Sequence, residues 1–259
     1  MKVVVSLKVV PDYEQVRMAP GVGSLDTSSV PRVVYTFDEL ALEAALRLKD
    51  ADSSVELVVA CLTADAGKVR EVVKKALAMG ADKAVIVEDA ALAEADGFAQ
   101  AQVLKAVVEK LGDVGVLTFG IPGIQGEAFN PGAEVAGLLG WPLVSYVAEH
   151  KLAGGALEAV RLLEHGRQSV EVATPAVVTI GKFQENPRLP TFKGIMSAKS
   201  KPMDTWSVAD LGLAGALTSA VKTLALAGPP ARGAGRRLEG EATDTAKEAV
   251  LALKGRQFI

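Results

Sequence analysis

The segment 120–132, GIPGIQGEAFNPG, is the part of this sequence best suited to chemistry on a phosphate. It follows an apolar run that reads as a strand, and Pro131 stands where a helix would begin. Proline at a first helical position, glycines that let a backbone approach a ligand, and N–H groups at a helix start together make an anion cradle. The same features make an ordinary structural turn, and the residues alone do not choose between the two. The pattern is neither GxGxxG nor a P-loop, and no lysine follows to reach a γ-phosphate, which argues against ATP hydrolysis. Other reactive side chains are scattered. His150 and His165 fall in a hairpin region and read as solvated, and Glu39 and Glu43 have the spacing of an exposed helix face. Cys61 lies inside the apolar run 55–62 and reads as a small core residue. No Ser/His/Asp or Cys/His set presents itself, and Trp141 and Trp206 read as packing anchors.

A second segment, 174–202 (TPAVVTIGKFQENPRLPTFKGIMSAKSKP), turns abruptly from buried strand to basic loop. The β-branched run 176–180 suits a strand covered on both faces. Pro187 and Pro190 lack the donor a ladder needs, so 184–194 is expected to run over the surface, carrying Phe192, Ile195 and Met196. Lys193, Lys199 and Lys201 flank that tip. An apolar anchor ringed by positive charge suits docking onto an acidic protein surface, although the same apolar side chains could fold back onto the core.

The elements that must position these segments alternate. Strands are expected over 3–10, 55–62, 84–88 and 114–119, with helices over 37–50, 67–79, 96–111 and 132–139 between and after them. Thr36 with Glu39 has capping-box spacing at the first helix. This is βαβ rhythm, and it predicts an α/β, doubly wound, mostly parallel sheet with ligands at the carboxyl ends of its strands. From 143 the rhythm changes to three strands, 143–152, 156–163 and 168–173, joined by hairpin signals. An antiparallel flap, 143–173, is thereby inserted before the 176–180 strand returns to the sheet. The segment 214–227 reads as a helix or a strand pair, 228–237 has no fold of its own, and Thr245 with Glu248 caps a last helix. The units are 1–203, including the flap and a docking loop at 184–201, and an arm at 204–259.

With 259 residues, 49% hydrophobic and 23% charged, the chain can bury a sizeable core, and a net charge of -3 argues against nucleic acid or an anionic membrane as partner. Lys8 interrupts the apolar opening, which is expected to be a strand and not a signal peptide, and no run is long enough to insert in a membrane. A soluble protein of a reducing cytoplasm, or of a mitochondrial matrix in a eukaryote, is expected.

The order PAVVT, NPR, IMSAKSKP resembles the signature region of electron transfer flavoprotein β subunits. The start VVVSLKVVPDY, the segment FDELALEAALRLKD and ALAMGAD are similar to that family too, so the resemblance spans the chain. It implies a Rossmann-like, adenine nucleotide α-hydrolase-like fold, a heterodimer with an α subunit on which the arm packs, and an FAD held mainly by that subunit. Tyr13 matches the family tyrosine beside the flavin, with Phe37 a further candidate for that wall. The resemblance also implies an adenine nucleotide, AMP, near Ser6, Leu7, Tyr35, Phe37, Asp38 and Ala64. The run 120–131 completes that site with Gly120, Gly123, Ile124, Glu127, Phe129, Asn130 and Pro131. Electrons would come from acyl-CoA or related dehydrogenases, docked at Phe192, Lys193, Ile195 and Met196, and leave to a membrane quinone reductase.

The sequence departs from the family in places. QGEAFNPG stands where members read close to DDDCNQTG, Tyr35-Thr36-Phe37 where they read NPF, and Gln168 where a flap glutamate is usual. Val10 to Asp12 resembles electron-bifurcating relatives, which use NADH and bind a second FAD in the AMP cavity, yet their TAQVG run is absent. AMP, FAD or neither therefore remain alternatives for that cavity. A stand-alone adenine-nucleotide sensor of the same fold is a reading of a different class. No catalytic or metal-binding residue is expected on this chain.

Overall fold

The structure is a computed structural model and describes residues 1–18, 25–27, 29–121, 131–181, 186–222, 224–225 and 233–259. Its first strand, β1 (Lys2–Ser6), alternates between two cores: Val3 and Val5 enter one apolar cluster and Val4 the other. The single strand expected over 3–10 is cut short. The Lys8 amide donates to the Asp38 carboxylate, and β2 (Val9–Pro11) leaves the sheet. The short pairs β3 (Arg17–Met18) with β4 (Leu25–Asp26) and β2 with β5 (Arg32–Val34) are antiparallel.

The alternation then follows the expected rhythm through α1 (Thr36–Ala51), β6 (Glu56–Thr63), α2 (Ala66–Met79), β7 (Lys83–Glu88), α3 (Gly97–Leu111), β8 (Val114–Gly120) and α4 (Pro131–Leu139). The capping box expected at Thr36 and Glu39 does not form, because Tyr35 is the N-cap of α1 and makes no side-chain cap bond. Asp65 and Asp96 do cap α2 and α3, accepting from the amides of Gly67 and Ala99. Gly80 ends α2 at φ 137, and an added Cβ would lie 2.8 Å from a Leu46 methyl.

The flap consists of β9 (Leu143–Ala153), β10 (Ala156–Leu163) and β11 (Gly166–Ala173), followed by β12 (Ala176–Ile180). It is continuous with the main sheet, since β9 runs parallel to β12 while β10 and β11 are antiparallel. After β12 come α5 (Phe192–Ala198), β13 (Met203–Trp206) and, at the end, α6 (Ala242–Gly255). The described residues of 214–227 form neither helix nor strand. Ser219 and the amides of Ala220 and Val221 tie that segment to Glu94 and Asp96 instead. The last helix begins upstream of Thr245, whose hydroxyl donates back to the Glu241 and Ala242 carbonyls and does not cap.

The nine-stranded sheet has the order β11-β10-β9-β12-β8-β1-β6-β7-β13, with all pairs parallel outside the flap. One apolar cluster joins the sheet to α1 and α2, and the other joins it to α3 and α4. From β1 the chain winds outward through β6 and β7, then crosses to β8 on the other side of β1. That reversal opens a crevice at the carboxyl ends of β1 and β8, where doubly wound sheets bind ligands. Among the described residues no helix is long and apolar enough to cross a membrane.

Candidate functional site

At the carboxyl end of β1, Ser6 and Leu7 are buried and the chain turns away at Lys8. The turn is held by Asp38, in the first turn of α1. One carboxylate oxygen accepts the Lys8 amide at 2.7 Å and the other the Gly120 amide, at the end of β8, at 3.1 Å. Asp38 therefore ties β1, β8 and α1 together at the switch point. Burial pushes its pKa up to about 6 against the pull of Lys8 and the two amides. Gly120 is required by the close approach, because a Cβ there would sit 2.4 Å from the Phe37 carbonyl carbon.

A cleft opens beside this tie, walled by Leu7, Leu62, Leu104 and Phe119, with Ser6, Gln100 and Pro131 on its lining. The structure thus brings Ser6, Leu7, Asp38 and Pro131 together, with Gly120 directly behind Asp38. Tyr35 and Phe37 pack against one another, ring centroids 5.6 Å apart, and the Lys8 ammonium lies 4.3 Å from the Tyr35 ring centre. Ala64 is exposed just beyond β6, and Tyr13 is exposed on a turn past β2. Neither lines the cleft. Gly123, Ile124, Glu127, Phe129 and Asn130 lie outside the described residues. Leu62, Gln100, Leu104 and Phe119 were missed by sequence reasoning because they come from three different elements.

The second site is on α5. The segment expected as a surface loop over 184–201 is helical in its centre, with the Thr191 hydroxyl capping the Gly194 amide at 3.0 Å. Phe192, Ile195 and Met196 share one face at helical spacing and are 82%, 49% and 50% exposed, so they do not fold back onto the core. Lys193 and Lys199 are exposed beside them. Lys201 is not part of the ring: its ammonium donates to the Leu77 and Ala81 carbonyls at the end of α2. Gly194 lies so close to α2 that a Cβ would be 2.1 Å from the Ala78 carbonyl oxygen.

Two expectations about charged groups are corrected here. Glu43 is buried, not on an exposed face, and accepts from Arg188 and from Arg47. Burial alone would raise its pKa, but the Arg188 hydrogen bonds lower it below the ordinary value. The signal was available: Glu43 sits within an unbroken buried run from Leu40 to Leu46, where an acid needs a cation. His150 is half-buried and not solvated, and its Nε2 is sealed from solvent. Burial holds its pKa down at about 4, keeping it neutral. Among the described residues no cluster of metal-ligating side chains occurs.

A family model described as "Electron transfer flavoprotein domain" matches residues 22–211. "Caffeyl-CoA reductase-Etf complex subunit CarD" of Acetobacterium woodii is 31% identical over 264 residues, covering 100% of both chains. "Electron transfer flavoprotein subunit beta" of Megasphaera elsdenii is 33% identical, covering 93% of this chain and 92% of its own. The protein of the same name from Mus musculus is 32% identical, covering 92% and 93%.

Proposed function

This chain belongs to the electron transfer flavoprotein family, and from that premise we propose that it is the β subunit of a heterodimeric electron transfer flavoprotein. In this reading an α subunit holds most of an FAD and the chain described here closes one side of it, with Tyr13 on that wall. The FAD, when bound, supplies the storage and release of electrons. The residues of this chain position it, keep water away and present a docking surface. Acyl-CoA or related dehydrogenases dock at α5 and deliver electrons, which leave to a membrane quinone reductase.

The observation that carries this reading is the face of α5. Phe192, Ile195 and Met196 are exposed together, with Lys193 exposed on the same short helix and Lys199 exposed at its C-cap. A compact apolar anchor with a cationic rim suits brief, specific contact with an acidic partner. In this reading AMP, in a structural role, sits over the cleft at the switch point, whose enclosed volume of about 30 Å³ is smaller than the nucleotide. The cleft's apolar walls suit an adenine ring, Ser6 and Gln100 offer polar atoms, and Pro131 brings the start of α4 to its edge.

A second reading rests on the full-length similarity to CarD, named as a subunit of a caffeyl-CoA reductase-Etf complex. Here the same cleft would hold a second FAD, and NADH would be the electron donor of a bifurcating complex.

Phe192→Asp in the heterodimer tests the docking role by placing a charge on the anchor. Reduction of the flavin by an acyl-CoA dehydrogenase should fall to background while flavin content stays unchanged. Undiminished turnover would refute the role of α5.

A further inference from the structure

The position of α5 is set by charges that take no part in its exposed face. Arg188 lies just ahead of the helix, between Pro187 and Pro190, and projects onto α1. Its guanidinium donates through Nε to one Glu43 oxygen at 2.9 Å and through Nη2 to the other at 3.0 Å, while its own amide donates to the first at 3.1 Å. The guanidinium also donates to Asp50 at 2.6 Å. Glu43 is 3% exposed, so the forked pair is sealed on the acid's side. Prolines on both sides fix φ there and restrict the residue ahead of each, which makes the connection from Arg188 to the Thr191 cap stiff. Beyond the helix, Lys201 binds the end of α2, and the Pro202 carbonyl accepts from the Ala84 amide.

We propose that Arg188 is a positioning residue for docking. Clamped by Glu43 and Asp50, it fixes where Phe192 stands relative to α2, so that partner affinity depends on a half-buried ion pair outside the apolar docking face. The proposal rests on the docking role of α5 given above. A complementary surface must meet Phe192, Ile195 and Met196 together, and a helix free to shift on α2 would present them in many arrangements, lowering the fraction competent to bind. The bidentate geometry matters as well as the charge. Lysine at 188 would keep the charge and lose the fork.

The experiment uses the assembled heterodimer with Arg188→Gln, Arg188→Lys and Phe192→Asp, and an acyl-CoA dehydrogenase reduced with butyryl-CoA as donor. Arg188→Gln should raise the KM for the dehydrogenase roughly tenfold with kcat and flavin content unchanged, and Arg188→Lys should fall between it and wild type. Hydrogen exchange, which needs no partner, should speed up in the amides of 192–198 and stay unchanged in α2. Unchanged KM together with unchanged exchange in α5 would overturn the positioning role, and equal losses of kcat, flavin and α2 protection would reduce Arg188 to a general fold contact. If Phe192→Asp also leaves turnover intact, the docking reading itself fails, and faster exchange in α5 alone would then still support the clamp.

Discussion

Asp38→Asn separates the two opposing costs at the switch point. Each Asp38 oxygen accepts one buried amide, from Lys8 or from Gly120. An asparagine has one acceptor oxygen and must turn its NH2 toward the other amide, which costs about 1–3 kcal/mol for a buried donor left facing a donor. The wild-type carboxylate carries its own penalty, because burial raises its pKa from 3.8 to about 6. At about 1.4 kcal/mol per tenfold change in proton affinity, that amounts to roughly 3 kcal/mol once the group is ionised. A raised folded-state pKa gives stability that is fully present below 3.8 and lost as pH rises through about 6. The variant is relieved of this loss at neutral pH and gains nothing from the relief in acid. The substitution should therefore be nearly neutral at pH ~7 and destabilising by about 1–3 kcal/mol at pH ~4. His150 acts in the opposite direction, its depressed pKa giving stability that is present above 6.5 and lost as pH falls through about 4. The wild-type profile alone is therefore flattened, and the difference between variant and wild type is the quantity to read. Urea unfolding followed by the fluorescence of Trp141 and Trp206 across this range measures it. Parallel pH profiles for the two proteins would refute the assignment of a raised pKa to Asp38.

Gly194→Ala puts a Cβ 2.1 Å from the Ala78 carbonyl oxygen, so α5 must move off α2. Overpacking of this kind costs about 1–3 kcal/mol, and the KM for a dehydrogenase should rise with flavin content unchanged; an unaltered KM would show that α5 tolerates the shift. Deleting 228–259 removes α6, none of whose residues is buried and whose Val250, Leu251 and Leu253 are exposed. The dissociation constant for the α subunit should increase at least about tenfold, and an unchanged value would contradict an arm that packs on that subunit.

The alternating strands and helices were legible because each is a long run with one period: β6 and β8 are near-continuous apolar segments, and α2 is closed by Gly80. β13 was not, since Met-Asp-Thr-Trp is short and half polar and is made a strand only by parallel pairing with β7, far away in sequence. The early end of β1 was equally hidden: the valines continue past it, and only the Asp38 carboxylate, from another element, draws Lys8 out of the ladder. Local spacing also misassigned the caps at Thr36 and Thr245, where the helix start is set by neighbouring residues. In the cleft, Pro131 was legible as a helix start, whereas Ser6, inside the strand expected over 3–10, was reached only through the family resemblance. Leu62 and Phe119 become neighbours through the order β8-β1-β6, and Gln100 joins them from α3, which no local pattern encodes.

The central claim is that this chain is half of a flavoprotein. Co-expressing it with an α partner, denaturing the purified complex and quantifying the released FAD and AMP by chromatography tests that claim most directly. One FAD and one AMP per heterodimer is the result this account predicts, and two FAD without AMP would support the bifurcating reading. A chain that recruits no partner and yields no flavin would contradict both.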